Sequence, residues 1–278
     1  MALPFPRGWI GLGRCLGCRE VGVRLLHGDC IEMMSGIPSG SVDMILCDLP
    51  YGVVNKGSEA GKWDSVIPFG PMWEGFLSVA KEDAAIVLFG QGMFTARLMM
   101  SNEGIWRYNL IWKKNSPTGF LNANRMPLRE HEDIMVFYRR QPKFHPQMKP
   151  CGKDEVIHSR GKLKDDPTNN VYDKRVEVEA KIRCEKCPTS VLSFAKPHYK
   201  GQHPTEKPVD LLRWLIRSYT DSGETVFDAT MGSGSCGVAA IEEGRGFVGI
   251  EKDDAWYAFA DERISKSLKT ERQSEFAI

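Results

Sequence analysis

The sequence predicts an α/β fold in which helices cover both faces of a central sheet, and three observations carry that prediction. Short apolar runs rich in β-forming residues alternate with segments whose large apolar residues recur at helical spacing. A glycine-rich turn, Gly232 to Gly237, follows one of those runs directly and leads into a helix. The chain has 278 residues, enough for one large domain with an insertion and a substantial core but short for two independent folds.

The elements follow in order. Residues 1–22 form an N-terminal extension and residues 23–140 the first half of the domain. Within that half, Val42 to Cys47, Ala84 to Phe89, Asn109 to Trp112 and Ile134 to Tyr138 are apolar, bounded by Gly, Asp, Asn or Pro, and read as buried strands. Between the first two, Phe69 to Ala80 sets Met72, Trp73, Phe76 and Leu77 at helical spacing, and this alternation predicts a parallel sheet. Residues 141–190 lose periodicity and turn polar, which marks an insertion. Residues 191–278 restore order. They hold a strand at Val191 to Phe194 and a helix that Thr205 can cap and Pro208 can open, with Val209, Leu212, Ile216 and Tyr219 on one face. Thr225 to Asp228, Cys236 to Glu243, Phe247 to Glu251 and Asp254 to Leu268 then alternate strand and helix.

Composition narrows the function classes. With 42% hydrophobic and 26% charged residues the chain is neither disordered nor a membrane protein, and no apolar run nears the roughly 18 residues of a spanning helix. Its eight cysteines sit in apolar stretches such as Ile45-Leu46-Cys47, as reduced thiols do, so a cytoplasmic location is expected. The net charge of +1 conceals an asymmetry: Arg107 to Lys200 carries 20 Lys and Arg against 11 Asp and Glu, a balance of +9, and the remainder is −8. A basic segment in an otherwise acidic chain suits a polyanionic partner, although a solvated basic surface would look the same.

Gly232, Gly234 and Gly237 satisfy the G-x-G-x-x-G pattern after the strand ending at Asp228, and Glu251 ends the next strand 14 residues past Gly237. Such a turn brings backbone close to a nucleotide-like ligand, and a carboxylate at the following strand can accept ribose hydroxyls. Glycines also serve tight strand-to-helix turns for steric reasons alone. Only 53 residues follow Thr225, too few for the rest of a dinucleotide fold, so the missing strands must come from the N-terminal half in permuted order. Asp228 ahead of the glycines can receive an ammonium group, which favours S-adenosylmethionine over NAD.

Asp48-Leu49-Pro50-Tyr51-Gly52 lies where a strand reaches the carboxyl edge of the sheet, the usual ligand edge of open α/β folds. An exocyclic amine on an aromatic ring is a poor nucleophile because its lone pair is delocalised. A carboxylate (Asp48) and a backbone carbonyl (Pro50) accepting its two hydrogens would localise that pair, and Tyr51 offers a face on which an extruded base could stack. The same residues are common in ordinary turns.

These residues resemble the DNA amino-methyltransferases that act on N6 of adenine or N4 of cytosine, in the group whose catalytic motif precedes the cofactor motif. The matching segments are Leu26-His27-Gly28-Asp29-Cys30, Asp48-Leu49-Pro50-Tyr51, His203-Pro204-Thr205-Glu206-Lys207-Pro208, and Phe227 to Gly234 with Gly249-Ile250-Glu251, spanning roughly Val23 to Arg263. The resemblance implies a Rossmann-like S-adenosylmethionine-dependent methyltransferase sheet with a target-recognition region in the basic insertion. It implies a cofactor site of Asp29, Cys30, Asp48, His203, Thr205, Asp228, Gly232, Gly234 and Glu251, and catalysis by Asp48, Pro50 and Tyr51. Leu49 departs from the commoner Asp-Pro-Pro-Tyr, while cytosine enzymes of the group usually begin with Ser, so Asp48 favours adenine. The expected partner is duplex DNA, contacted through Lys113, Lys114, Arg125, Arg129, Arg139 and Arg140; a homodimer and a cognate restriction nuclease remain open. N4-cytosine methylation and an inactive DNA-binding protein on the same fold are the rival readings.

Two Cys-x-x-Cys pairs, Cys15 with Cys18 and Cys184 with Cys187, could supply four thiolates to zinc, but unpaired thiols are the simpler expectation and no metal is required. Gly57 to Trp63 falls short of a phosphate loop and is expected as a loop beside the site.

Overall fold

A computed structural model describes residues 12–13, 21–52, 64–151, 157–158, 182–183, 185–196 and 206–275. The chain divides into two compact units, one comprising residues 1–145 and 190–278 and the other Pro146–Thr189.

The first unit contains, in order, β1 (Leu12–Gly13), β2 (Val21–His27), α1 (Cys30–Met34), β3 (Val42–Cys47), α2 (Phe69–Val79), β4 (Ala80–Gly90), α3 (Met93–Ser101), β5 (Trp106–Thr118) and β6 (Arg129–Phe137). The second unit holds β7 (Lys149–Pro150), β8 (Ile157–His158), β9 (Ile182–Arg183) and β10 (Glu185–Lys186), where β7 pairs with β10 and β8 with β9, both antiparallel. The first unit then resumes with β11 (Val191–Ser193), α4 (Val209–Tyr219), β12 (Thr225–Asp228), α5 (Ser235–Glu242), β13 (Gly246–Glu251) and α6 (Asp254–Glu275). Pro208 is the N-cap of α4; Thr205, the expected cap, lies outside the described residues.

Among the described residues nine strands form one sheet in the order β1-β2-β13-β12-β3-β4-β6-β5-β11. The expectation of a parallel sheet needs correction at two strands. β2, β13, β12, β3 and β4 pair in parallel, whereas β6 lies antiparallel between β4 and β5, and β1 lies antiparallel to β2. The link from β5 to β6 covers only residues 119–128, too short for the crossover that a parallel pair needs.

Side-chain alternation divides the core between the two faces. Met44, Leu46, Val87, Phe89 and Trp112 pack with Leu211, Leu215, Ala239 and Ile264 of α4, α5 and α6. Ile45, Cys47, Ile86, Leu88 and Phe137 pack with Met34, Phe76 and Leu98 of α1, α2 and α3. β3 and β12 are therefore buried on both sides, and their carboxyl ends can hold charged residues in fixed positions.

No described helix is long and apolar enough to cross a membrane.

Candidate active site

β3 and β12 are hydrogen-bonded neighbours, with Met44 opposite Val226 and Ile45 opposite Phe227, so Asp48 and Asp228 leave the same edge of the sheet. A cavity of about 860 Å³ opens at that edge, within the range of small-molecule sites. Asp29, Cys30, Asp48, Pro50, Tyr51, Asp228, Gly232 and Glu251 all line it.

Two loops meet there. The Thr230 hydroxyl donates to the Asp48 carbonyl at 3.0 Å, and the Thr230 N–H donates to Asp228 Oδ1 at 3.0 Å. The Ala229 N–H donates to Cys47 Sγ at 3.2 Å. These contacts fix the two carboxylate-bearing turns against each other.

On the Asp48 side, the Tyr51 hydroxyl donates to Oδ1 at 2.8 Å, and the Lys207 ammonium pairs with Oδ2. The Tyr51 ring packs against Phe94 with centroids 4.9 Å apart. Leu49, the departure from the commoner motif, is buried in the core that faces α1 to α3. Lys207 also lies 3.3 Å from Glu132 Oε2, and Glu132 Oε1 accepts from Lys114 Nζ at 2.5 Å. Burial raises the Asp48 carboxyl above its ordinary range, and Lys207 opposes that rise. Burial acts on Glu132 in the same sense, but Lys207 and Lys114 prevail and hold it below the usual carboxylate range.

On the Asp228 side the environment differs. Asp228 is 4% exposed, and among the described residues it has no ion-pair partner. Its carboxyl is pushed up to about 7, mainly by burial, with Asp48 and Glu251 adding repulsion against the Thr230 N–H bond. Glu251 accepts the Gly232 N–H on Oε2 at 2.8 Å and the Lys252 and Asp253 N–H groups on Oε1, both at 2.9 Å. Three of its roughly four acceptor positions are thus taken, and an open position faces the cavity for a ligand hydroxyl. Gly232 and Gly234 have φ of 48° and 75°, the left-handed region that glycine adopts without strain. Gly234, which does not line the cavity, and Gly237 also serve packing: a Cβ at Gly234 would meet Ala260 and Ile264 at 3.1 Å, and one at Gly237 would meet Ile264 at 2.6 Å and Phe247 at 2.8 Å.

Asp29 caps α1, accepting from the Ile31 N–H at 3.0 Å, and pairs with Lys252 Nζ at 3.1 Å. The Cys30 thiol is held neutral, with burial pushing it up to about 11. His203, Thr205, Cys15, Cys18, Cys184 and the loop Gly57 to Trp63 lie outside the described residues, and Cys187 is exposed.

One expected DNA contact, Lys114, is corrected, and two others lie away from the cavity. Lys114 is 7% exposed, and its ammonium is held in the site by Glu132, where it cannot reach a phosphate. Arg139 donates to the Ala80 and Lys81 carbonyls and pairs with Glu82, while Arg140 pairs with Asp83. Both therefore sit where β4 begins, at the opposite end of that strand from the cavity. Lys113 and Arg125 are exposed and Arg129 half-buried. Lys207 and Glu132 were not anticipated. Lys207 belongs to a segment whose His and Thr carry the sequence signal, and Glu132 reaches the site because β6 lies between β4 and β5.

A family model of the N6/N4 DNA methylases matches residues 42–262. The chain belongs to this family. It is a DNA methyltransferase dependent on S-adenosylmethionine, and the cavity suits that cofactor: the buried, repelled carboxylate of Asp228 has no cation among the described residues, and the cofactor carries one. Among relatives of this DNA methylase is the Type II methyltransferase M2.DpnII of Streptococcus pneumoniae, 24% identical over 88% of this chain and 91% of its own. The fold is also that of an M1.HpyAVI–SAM complex, at TM-score 0.56 and 20% identity over 87% of this chain and 99% of the other. PvuII DNA methyltransferase, cytosine-N4-specific, matches at TM-score 0.56 and 16% identity over 90% and 92% of the two chains.

Proposed function

We propose that this DNA methylase is a site-specific enzyme of permuted motif order that methylates N6 of adenine in duplex DNA after the base has swung out of the helix. The observation that carries the reading is Asp48, a carboxylate at the head of the Asp-Leu-Pro-Tyr turn that lines the cavity beside Asp228. When bound, S-adenosylmethionine supplies an electrophilic methyl group on a sulfonium sulfur. Asp228 would receive its ammonium, Glu251 one ribose hydroxyl, and Asp29 its adenine, beside Cys30, Gly232 and Gly234.

The chain's own residues prepare the nucleophile. Asp48 and the Pro50 carbonyl accept the two amine hydrogens, which concentrates the lone pair on nitrogen, and Tyr51 stacks on the extruded base. As the nitrogen takes the methyl group it gains positive charge next to the Asp48 carboxylate, the kind of fixed electrostatic stabilisation that lowers barriers most. The S–C bond would break to leave a neutral thioether, and the methylated nitrogen would pass one proton through Asp48 to solvent.

The loop joining β5 to β6 supports a DNA face beside the cavity. β5 runs in the same direction as β4, so Phe120 and Leu121, 81% and 98% exposed, stand at the cavity's edge of the sheet with Arg125 and Arg129. The unit Pro146–Thr189 is the target-recognition region in this reading, and buried free thiols at Cys30, Cys47 and Cys236 suit a reducing cytoplasm. Likeness to a Type II methyltransferase favours a cognate restriction nuclease as cellular partner.

The test is product analysis. Duplex DNA incubated with labelled S-adenosylmethionine should yield N6-methyladenine, with tighter binding where the target adenine is mismatched and extrusion costs less. N4-methylcytosine as the only product would overturn the adenine assignment.

A further inference from the structure

We infer that Lys207 is a positioning residue for methyl transfer, its ammonium clamped between Asp48 and Glu132 so that Asp48 stands as an ionised acceptor for the target amine. The inference rests on the assignment of Asp48 to the base. It adds a group to which that assignment gives no part.

The geometry is a chain of alternating charge, Asp48–Lys207–Glu132–Lys114, assembled from four places in the fold. Asp48 follows β3, Lys114 lies on β5, Glu132 on β6, and Lys207 directly precedes the N-cap of α4. The Lys207, Glu132 and Lys114 side chains are 5%, 11% and 6% exposed, and Asp48 faces the cavity at 27%. Two positive and two negative charges cancel, so the chain can sit inside the domain where a single ion could not.

The chemistry requires this of Asp48. A carboxylate accepts from Tyr51, Lys207 and an amine at once and sets a full negative charge beside the nitrogen; protonation would turn one oxygen into a donor and remove that charge. Burial favours the acid form, and so does the nearby carboxylate of Glu132. Tyr51, from the same turn, donates to Oδ1 without supplying charge. Lys114 is committed to Glu132. Among the described residues the cation in contact with Asp48 is Lys207, and it takes Oδ2. With each oxygen engaged once, the carboxylate is fixed in rotation and keeps one lone pair per oxygen for the amine.

The experiment follows the Asp48 carboxyl carbon by nuclear magnetic resonance in aspartate-labelled full-length protein without cofactor or DNA, the signal being assigned by its loss in Asp48→Asn. In Lys207→Met the Asp48 titration midpoint should rise by about one to three pH units. Lys207→Arg, which keeps the charge, should stay near the wild type, and Glu132→Gln should move the midpoint downwards. The acidic limb of the kcat profile should shift in the same directions, with cofactor Kd changed by less than about threefold.

An Asp48 titration unmoved by Lys207→Met would overturn the inference, as would loss of cofactor affinity in step with turnover. Should Lys207→Met fail to fold, the double variant Lys207→Met/Glu132→Gln removes one charge of each sign. Its Asp48 midpoint should lie above that of Glu132→Gln alone, and equal midpoints would again overturn the inference. If the titrations behave as expected while wild-type protein methylates no DNA, the assignment of Asp48 to the base fails and the role of Lys207 in its ionisation stands.

Discussion

Asp48 and Asp228 end adjacent strands of one sheet, and both carboxyls are raised by burial, but their surroundings differ in kind. Asp48 has its counter-ion built in: Lys207 holds one oxygen and the Tyr51 hydroxyl the other. Asp228 receives one backbone N–H and, among the described residues, no cation, so it stays half-protonated near pH 7. The difference matches what each would meet under the proposed function. The base offers a neutral amine, so its acceptor must be ionised in advance by the protein. The cofactor brings its own positive charge, and a lysine beside Asp228 would compete with it. In that reading the buried carboxylate without a cation among the described residues faces the cationic ligand, and the one supplied with a cation faces the neutral donor.

The sharpest break in this comparison is Asp48→Ala. Turnover should fall by about 10²–10³-fold or more while cofactor affinity, measured by calorimetry, holds within about threefold. Tyr51→Ala should behave likewise to a smaller degree, and loss of cofactor binding as its main effect would count against its place at the base.

Asp228→Ala should do the reverse. Losing a charged acceptor for an ammonium costs roughly 1.5–3 kcal/mol, or about a ten- to hundredfold weaker Kd. Asp228→Asn should stabilise the protein in the absence of cofactor. The sign follows from linkage: the carboxyl titrates near 3.8 in the unfolded chain and near 7 when folded, so between these values the folded form holds more protons and stability falls as pH rises. Above pH 7 the native residue therefore carries a penalty on the order of 2–4 kcal/mol, which the neutral amide avoids. Thermal unfolding at pH 5 and pH 8 should show the variant's advantage growing with pH; an advantage independent of pH would remove Asp228 as its source.

The same titration predicts a milder effect on the intact protein. Binding a cation requires the Asp228 carboxylate, so cofactor affinity should weaken by up to about tenfold per pH unit below 7, with proton release visible in buffers of different ionisation heat. In Asp228→Asn that dependence should vanish.

Why the two carboxylates were legible in the sequence and Lys207 and Glu132 were not has a physical reason. Val42 to Cys47 and Thr225 to Asp228 are uninterrupted apolar runs buried on both faces, so the periodicity itself fixes where each strand ends and which residue it delivers to the edge. The reversed strand β6 could not be read that way. Arg129-Glu130-His131-Glu132-Asp133 is a run of charge that looks solvated, and Glu132 becomes buried only because β6 inserts between β4 and β5. Lys113 and Lys114 illustrate the same limit. Strand alternation sends one to solvent and the other into the site, and the count of basic residues cannot separate them. The helix α3 was also missed, its Met93, Arg97 and Met100 being too mixed to show a stripe.

The smallest expected effect concerns the DNA face, and it sharpens the contrast between charges that meet phosphate and charges that are spent inside the protein. If Lys113, Arg125 and Arg129 contact the backbone, log K against log[salt] should have a slope near −0.9 per phosphate engaged, and neutralising all three should make it shallower by roughly 2–3. Neutralising Arg139 and Arg140 should leave the slope unchanged, because they sit beside Glu82 and Asp83 at the far end of β4 from the cavity. Lys114→Met is the informative control: it removes a formal charge from the basic segment, but one that faces Glu132. It should leave the slope in place and disturb turnover. A slope that tracks Lys114 or Arg139 rather than the exposed residues would move the DNA surface away from the cavity edge.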